Sequence, residues 1–262
     1  MDRIYKPSVL LFFISILSVS SFSQEWKNIN PEVCEIKYTN QDSSYINEYF
    51  EFIQKGIKST ESFFEEPFNQ KFDIYIHPNR ESLDKQWQTD WQMPEFKSEC
   101  WMVASGVSTR MDILSPAIWD EQACEHSYGN KIKTQNLITH ELVHVYHGQR
   151  NISPDFFETY GINWFIEGLA TFVSGQCDST RIADVKNAMN GGVVPQSLDD
   201  FWSGNLRYGL SGTMVMYIEH EYGKSKIIES LKYNRLEDIL ELLSVSETTL
   251  INGWINYLSN YK

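Results

Sequence analysis

His140 and His144 stand four residues apart in Thr139-His140-Glu141-Leu142-Val143-His144-Val145, with Glu141 directly after the first. On a helix that spacing sets both imidazoles on one face, one turn apart, within reach of a single metal ion. Glu141 lies roughly 100° further round the helix, placed to take a proton from water at that metal. The chemistry open to such a trio is metal-assisted hydrolysis. A hydrolytic zinc site takes a third protein ligand and keeps one position open. The extended spacing H-E-x-x-H-x-x-G-x-x-H is ruled out, because His147 and Arg150 hold the glycine and final histidine positions. A second helix can supply a glutamate instead. Glu167 sits in the run Trp164-Phe165-Ile166-Glu167-Gly168-Leu169-Ala170, where an acid is costly to bury without a cation. Gly168 in mid-helix costs about 1 kcal/mol relative to alanine, which predicts close approach of another backbone. The His140 helix is the expected neighbour.

These two segments resemble the gluzincin metallopeptidases, the group that includes thermolysin, the alanyl aminopeptidases and the bacterial collagenases. The likeness rests on HELVH at 140–144 and on WFIEGLA at 164–170, which has the form W-x-x-E-G-x-A. A looser likeness in layout, from about Tyr45 to the C-terminus, is to the peptidase-MA-like domains of secreted bacterial proteins. The resemblance implies one Zn2+ per chain held by His140, His144 and Glu167, with Glu141 as general base in peptide-bond hydrolysis. It also implies an α+β, zincin-like fold. Two places depart from the group. Thr171 stands where thermolysin-like enzymes carry an aspartate that orients a ligand histidine, so the surroundings of the ligands must differ. Upstream, only Gly106-Val107-Ser108-Thr109-Arg110 lies where alanyl aminopeptidases carry G-x-M-E-N, so endopeptidase action is expected. Zinc peptidases add a donor for the oxyanion. Tyr208, beside Arg207 at a helix start, is the candidate, and His220 is the second choice.

The elements that must position these residues follow from periodicity. Ile46, Tyr49, Phe50, Ile53 and Ile57 have helical spacing within residues 44–60. Phe72, Ile74 and Ile76 alternate with polar neighbours as in a half-buried strand. Trp101 to Leu114 predicts one or two strands with a turn or bulge at Ser105-Gly106, and the gluzincin resemblance implies that part of 102–114 forms the edge beside the zinc helix. That helix is expected from Asn130 to His147, with Gly148 as its cap. Helices are then expected at Arg181–Met189, Leu210–Tyr222, Lys224–Tyr233, Leu236–Leu243 and Glu247–Tyr257. Strands therefore precede the motif and helices follow it. The expected α+β domain has a strand-bearing half with the zinc helix, 24–150, a helical half, 151–262, and the active site between them. His77, His126 and His220 are expected to be structural, and His147 to pack behind the ligands, because it lies about 10 Å further along the axis.

Residues 1–23 combine Arg3 and Lys6, an apolar run from Val9 to Val19, and Ser21-Phe22-Ser23. This has the form of a signal peptide cleaved near Ser23/Gln24, since the apolar run is short of the ~20 residues a span needs. The expected location is secreted or periplasmic, without stable membrane insertion after cleavage. Net charge is −13, and losing Asp2, Arg3 and Lys6 moves it to −14, which disfavours nucleic acid. Peptide or protein substrate is the expected partner. Among Cys34, Cys100, Cys124 and Cys177, pairing of Cys100 with Cys124 is expected in an oxidising compartment. Asn151-Ile152-Ser153 has the form of a glycosylation acceptor. A different class of function stays open: an exported peptidase-like binding or assembly module that holds zinc without turnover.

Overall fold

The computed structural model describes residues 25–261; the expected signal peptide lies outside the described residues, as does its cleavage site. The chain runs β1 (Lys27–Ile29), β2 (Cys34–Tyr38), α1 (Ile46–Phe64), β3 (Phe72–His77), α2 (Arg80–Asp90), β4 (Ala104–Val107), β5 (Arg110–Leu114), α3 (Trp119–Gln122) and α4 (Lys131–Gly148). Helices follow: α5 (Asn163–Val173), α6 (Ser179–Asn190), α7 (Leu198–Phe201), α8 (Arg207–Tyr222), α9 (Lys224–Ser230), α10 (Leu236–Leu243) and α11 (Glu247–Asn260). The molecule is α+β, with its named strands all before α4.

The sheet has the order β1-β2-β3-β5-β4, with β2, β3 and β5 parallel and an antiparallel strand at each edge. Alternation decides its two faces. On one, Ile76, Met111 and Ile113 meet Tyr49 and Ile53 of α1 and Ile138 of α4. On the other, Asp112 is 3% exposed and would be costly to bury as a lone charge. It is instead gripped by Arg110 Nε at 2.7 Å and by His77 Nε2 at 2.7 Å, while His77 Nδ1 meets Ser82 Oγ of α2 at 2.9 Å. This network, capped by the Tyr75 ring under Arg110, holds α2 to the sheet.

α1 forms because Ile46, Tyr49, Phe52, Ile53, Thr60 and Phe64 share one buried stripe, and it stops where Glu65 turns left-handed at φ 62°. α4 starts where the Asn130 side chain accepts from the Lys133 N–H. Its end differs from expectation. Gly148 is the last helical residue and not a left-handed cap; a Cβ there would press on the Pro154 carbonyl and the Ser108 backbone. The turn before α4 also moves: Ser105-Gly106 lie inside β4, and Ser108-Thr109 make the turn. Gly106 is needed because a side chain there would strike the Glu141 carbonyl, so β4 lies directly on the α4 backbone. β4 is the free edge beside that helix.

Candidate metal centre

α4 carries His140 and His144 on one face, and α5 brings Glu167 to meet them. The Nε2 atoms of His140 and His144 are 3.0 Å apart, and Glu167 Oε2 lies 3.3 Å from the first and 3.6 Å from the second. Tetrahedral bonds of about 2.0–2.1 Å to zinc place ligand atoms roughly 3.3–3.4 Å apart, so the donor triangle has the size that such a metal requires. The donor chemistry, two imidazoles and one carboxylate, also fits. These three residues form a group able to hold a metal ion.

The positioning of Glu167 comes from packing on its own helix. Trp164, Phe165 and Leu169 are buried to within 1%, each contributing about 1.5–3 kcal/mol, which fixes α5 with the acid on its remaining face. Glu167 keeps 26% of its side chain accessible. Gly168 does meet a foreign backbone, but not the expected one: a Cβ there would collide with the Ser211 carbonyl of α8. α5 is thus wedged between α4 and α8, and the glycine serves the α8 contact because that helix crosses closest.

Burial raises the Glu167 carboxyl, yet the neighbouring His144 and His140 outweigh it and hold the acid well below the usual carboxylate range. His144 moves upward: burial lowers it, but the charge and hydrogen bonding of Glu167 prevail. Glu141 is 6% exposed, and burial raises its carboxyl, with both imidazoles pulling the other way. The charged groups that act on it are the three candidate ligands. At the position that departs from thermolysin-like enzymes, Thr171 is fully buried with Oγ1 unpartnered, and His140 Nδ1 is unpartnered as well.

His147 is fully buried between the rings of Phe156 and Phe165, near the Asn151 amide, and burial pushes it down to about 3. It packs as a neutral ring. Asn151 is 6% exposed, and its amide nitrogen donates to the Leu231 and Tyr233 carbonyls at 2.8 Å each. Its side chain is thus taken up in holding the post-α4 loop.

Tyr208, at the start of α8, places its ring 6.1 Å from that of His140. Burial raises its hydroxyl, helped by Glu167 and Glu141 and opposed by Arg207, so it stays a proton-bearing donor near neutrality. His220 does not share the site. It lies 12 residues beyond Tyr208, about 18 Å along the axis, against Tyr257.

Around the candidate ligands stand residues that the motifs do not single out. Phe156, left-handed at φ 60°, sets its ring beside His144 and His147. Trp101 precedes β4, and Trp202 stands edge-on to Tyr208. The Trp101 turn is tied down by the Cys100–Cys124 disulfide, the expected pairing, and by Arg80, which donates to the Glu99, Cys100 and Met102 carbonyls. Adjacency to a cysteine was the one available hint of that rigid turn. Cys34 and Cys177 are free, and burial raises both thiols to about 12.

Compared with models of protein families and with curated proteins, the chain matches none.

Proposed function

We propose that this protein is an exported zinc-dependent metallopeptidase of gluzincin type, with His140, His144 and Glu167 as metal ligands and Glu141 as general base. The observation that carries this reading is the convergence of three ligand atoms within 3.6 Å from two separate helices, with an acid beside them. A zinc ion held there supplies Lewis acidity toward a carbonyl oxygen and toward water. Glu141 takes a proton as water adds to the scissile carbonyl carbon, then passes it to the departing amine nitrogen as the C–N bond breaks. The Tyr208 hydroxyl donates to the oxygen that becomes negative. The free edge of β4, beside α4, offers backbone groups to an extended chain. No comparable device for a substrate amino terminus stands in 106–110, which favours internal cleavage.

Incubation with a mixed peptide library tests the reading. Wild-type protein should cleave it and a chelator should stop cleavage. Glu141→Gln should retain one metal per chain and lose about 10²–10⁴ in turnover, the span of a positioned acid–base group. Full activity in that variant would end the assignment. Metal retention with no cleavage by the wild type would leave the binding-module alternative.

A further inference from the structure

Two arginines beside Tyr208 are left without acidic partners. Arg110, Arg150 and Arg235 each have a carboxylate within 4.0 Å, and Arg80 is wrapped in backbone carbonyls. Among the described residues, Arg181 and Arg207 meet no carboxylate within that distance, although the chain has 35 acids against 22 basic residues. Both converge on one ring: Arg181 Cζ lies 5.4 Å and Arg207 Cζ 5.3 Å from the centre of Tyr208. Arg207 also lies 4.8 Å from the Trp101 ring and 5.3 Å from that of Trp202. Apart from its hydrogen bond to the Tyr208 side chain, Arg207 faces rings, which attract a guanidinium but offer no acceptors in its plane, where the rest of its five N–H donors point. The nearby Glu99 carboxylate is engaged by Trp101 Nε1 at 2.6 Å. Trp101 comes from the strand-bearing half and its turn is fixed by the disulfide, so the cage is preorganised.

We propose that Arg207, with Arg181 in support, forms a subsite for a carboxylate of the bound peptide, next to the metal centre. The ligand's nature rests on the peptidase reading; the anion site rests on the arginine cage. A carboxylate accepts two parallel N–H bonds from a guanidinium, the geometry that point charges and amides cannot match. That carboxylate can be a peptide's C-terminus or a Glu or Asp side chain. Arg207 is a specificity residue here, while bond cleavage stays with the groups named above.

The test is calorimetric binding to zinc-loaded full-length protein carrying Glu141→Gln. Two peptide pairs are compared: a free acid with its C-terminal amide, and an end-capped glutamate peptide with its glutamine counterpart. In at least one pair the acid should bind roughly tenfold more tightly, and the discriminating pair names the source of the carboxylate. Arg207→Met should shrink the ratio to within twofold while the neutral peptide's affinity holds, and Arg207→Lys should restore part of it. Equal affinities in both pairs, including no binding of any peptide, overturn the proposal. So does an acid preference that survives Arg207→Met, which would place the carboxylate on the metal. Wild-type protein that discriminates by charge yet cleaves nothing would remove the peptidase reading and leave the subsite.

Discussion

Tyr208 stands where the proposed chemistry and the proposed subsite meet: its ring is 6.1 Å from that of His140, and the two arginines without a carboxylate partner both lie against it. Removing only its hydroxyl, in Tyr208→Phe, should lower kcat about 10²–10³-fold with little change in KM, the signature of a donor used at the oxyanion. A kcat within threefold of wild type would reduce Tyr208 to a packing residue. A second buried acid shows the opposite economy. Asp42 is fully buried, with Oδ1 accepting from Ser115 Oγ at 2.5 Å and Oδ2 unpartnered. Burial raises its carboxyl, with Ser115 and Thr39 opposing. The folded state therefore holds this proton more tightly than the unfolded chain does. Its stabilising contribution is complete below the ordinary aspartate value and is lost as pH rises through the folded one. Asp42→Asn should accordingly raise the urea midpoint at pH 7, with the gain shrinking as pH falls toward 4. A gain that grows on acidification would reverse the sign of this assignment.

At the scale of elements, two helices must hold a donor triangle with sides of 3.0–3.6 Å, and glycines set how closely their neighbours lie. Gly168→Ala gains about 1 kcal/mol of helix propensity. It also drives a methyl into the Ser211 carbonyl, which as backbone yields little, and such overpacking costs about 1–3 kcal/mol. Loss should win by about 1 kcal/mol, measured by urea unfolding; a more stable variant would show that α5 and α8 can separate freely. Much of this was legible in advance. The spacing of His140, Glu141 and His144 and the misplaced acid Glu167 are local patterns, and α1, β3 and α10 announce themselves by period. α2 did not, because only Leu83 and Trp87 of its eleven residues are buried. β2 escaped because Cys34, Ile36 and Tyr38 alternate over only five residues. Gly106 looked like a turn residue, and its reason is a helix 35 positions later. Contacts between distant elements leave no periodic trace, which is also why the sequence points Gly168 to α4 when its partner is α8.

In the molecule as a whole, an apolar core continues from the sheet through α4 and α5 into the last helices. The group able to hold a metal sits where the strand-bearing half and the helical half meet, with β4 and Trp101 on one side and α8 with Trp202 on the other. No helix among the described residues is long and apolar enough to cross a membrane. Everything functional in this account depends on α5 delivering a ligand to α4. Elemental analysis of purified protein, wild type beside Glu167→Ala, tests that dependence most directly. Wild type should carry one zinc per chain. Glu167→Ala should stay folded by circular dichroism and lose most of the metal on dialysis. Equal zinc in the two proteins, or none in the wild type after refolding with the metal, would contradict the centre described here.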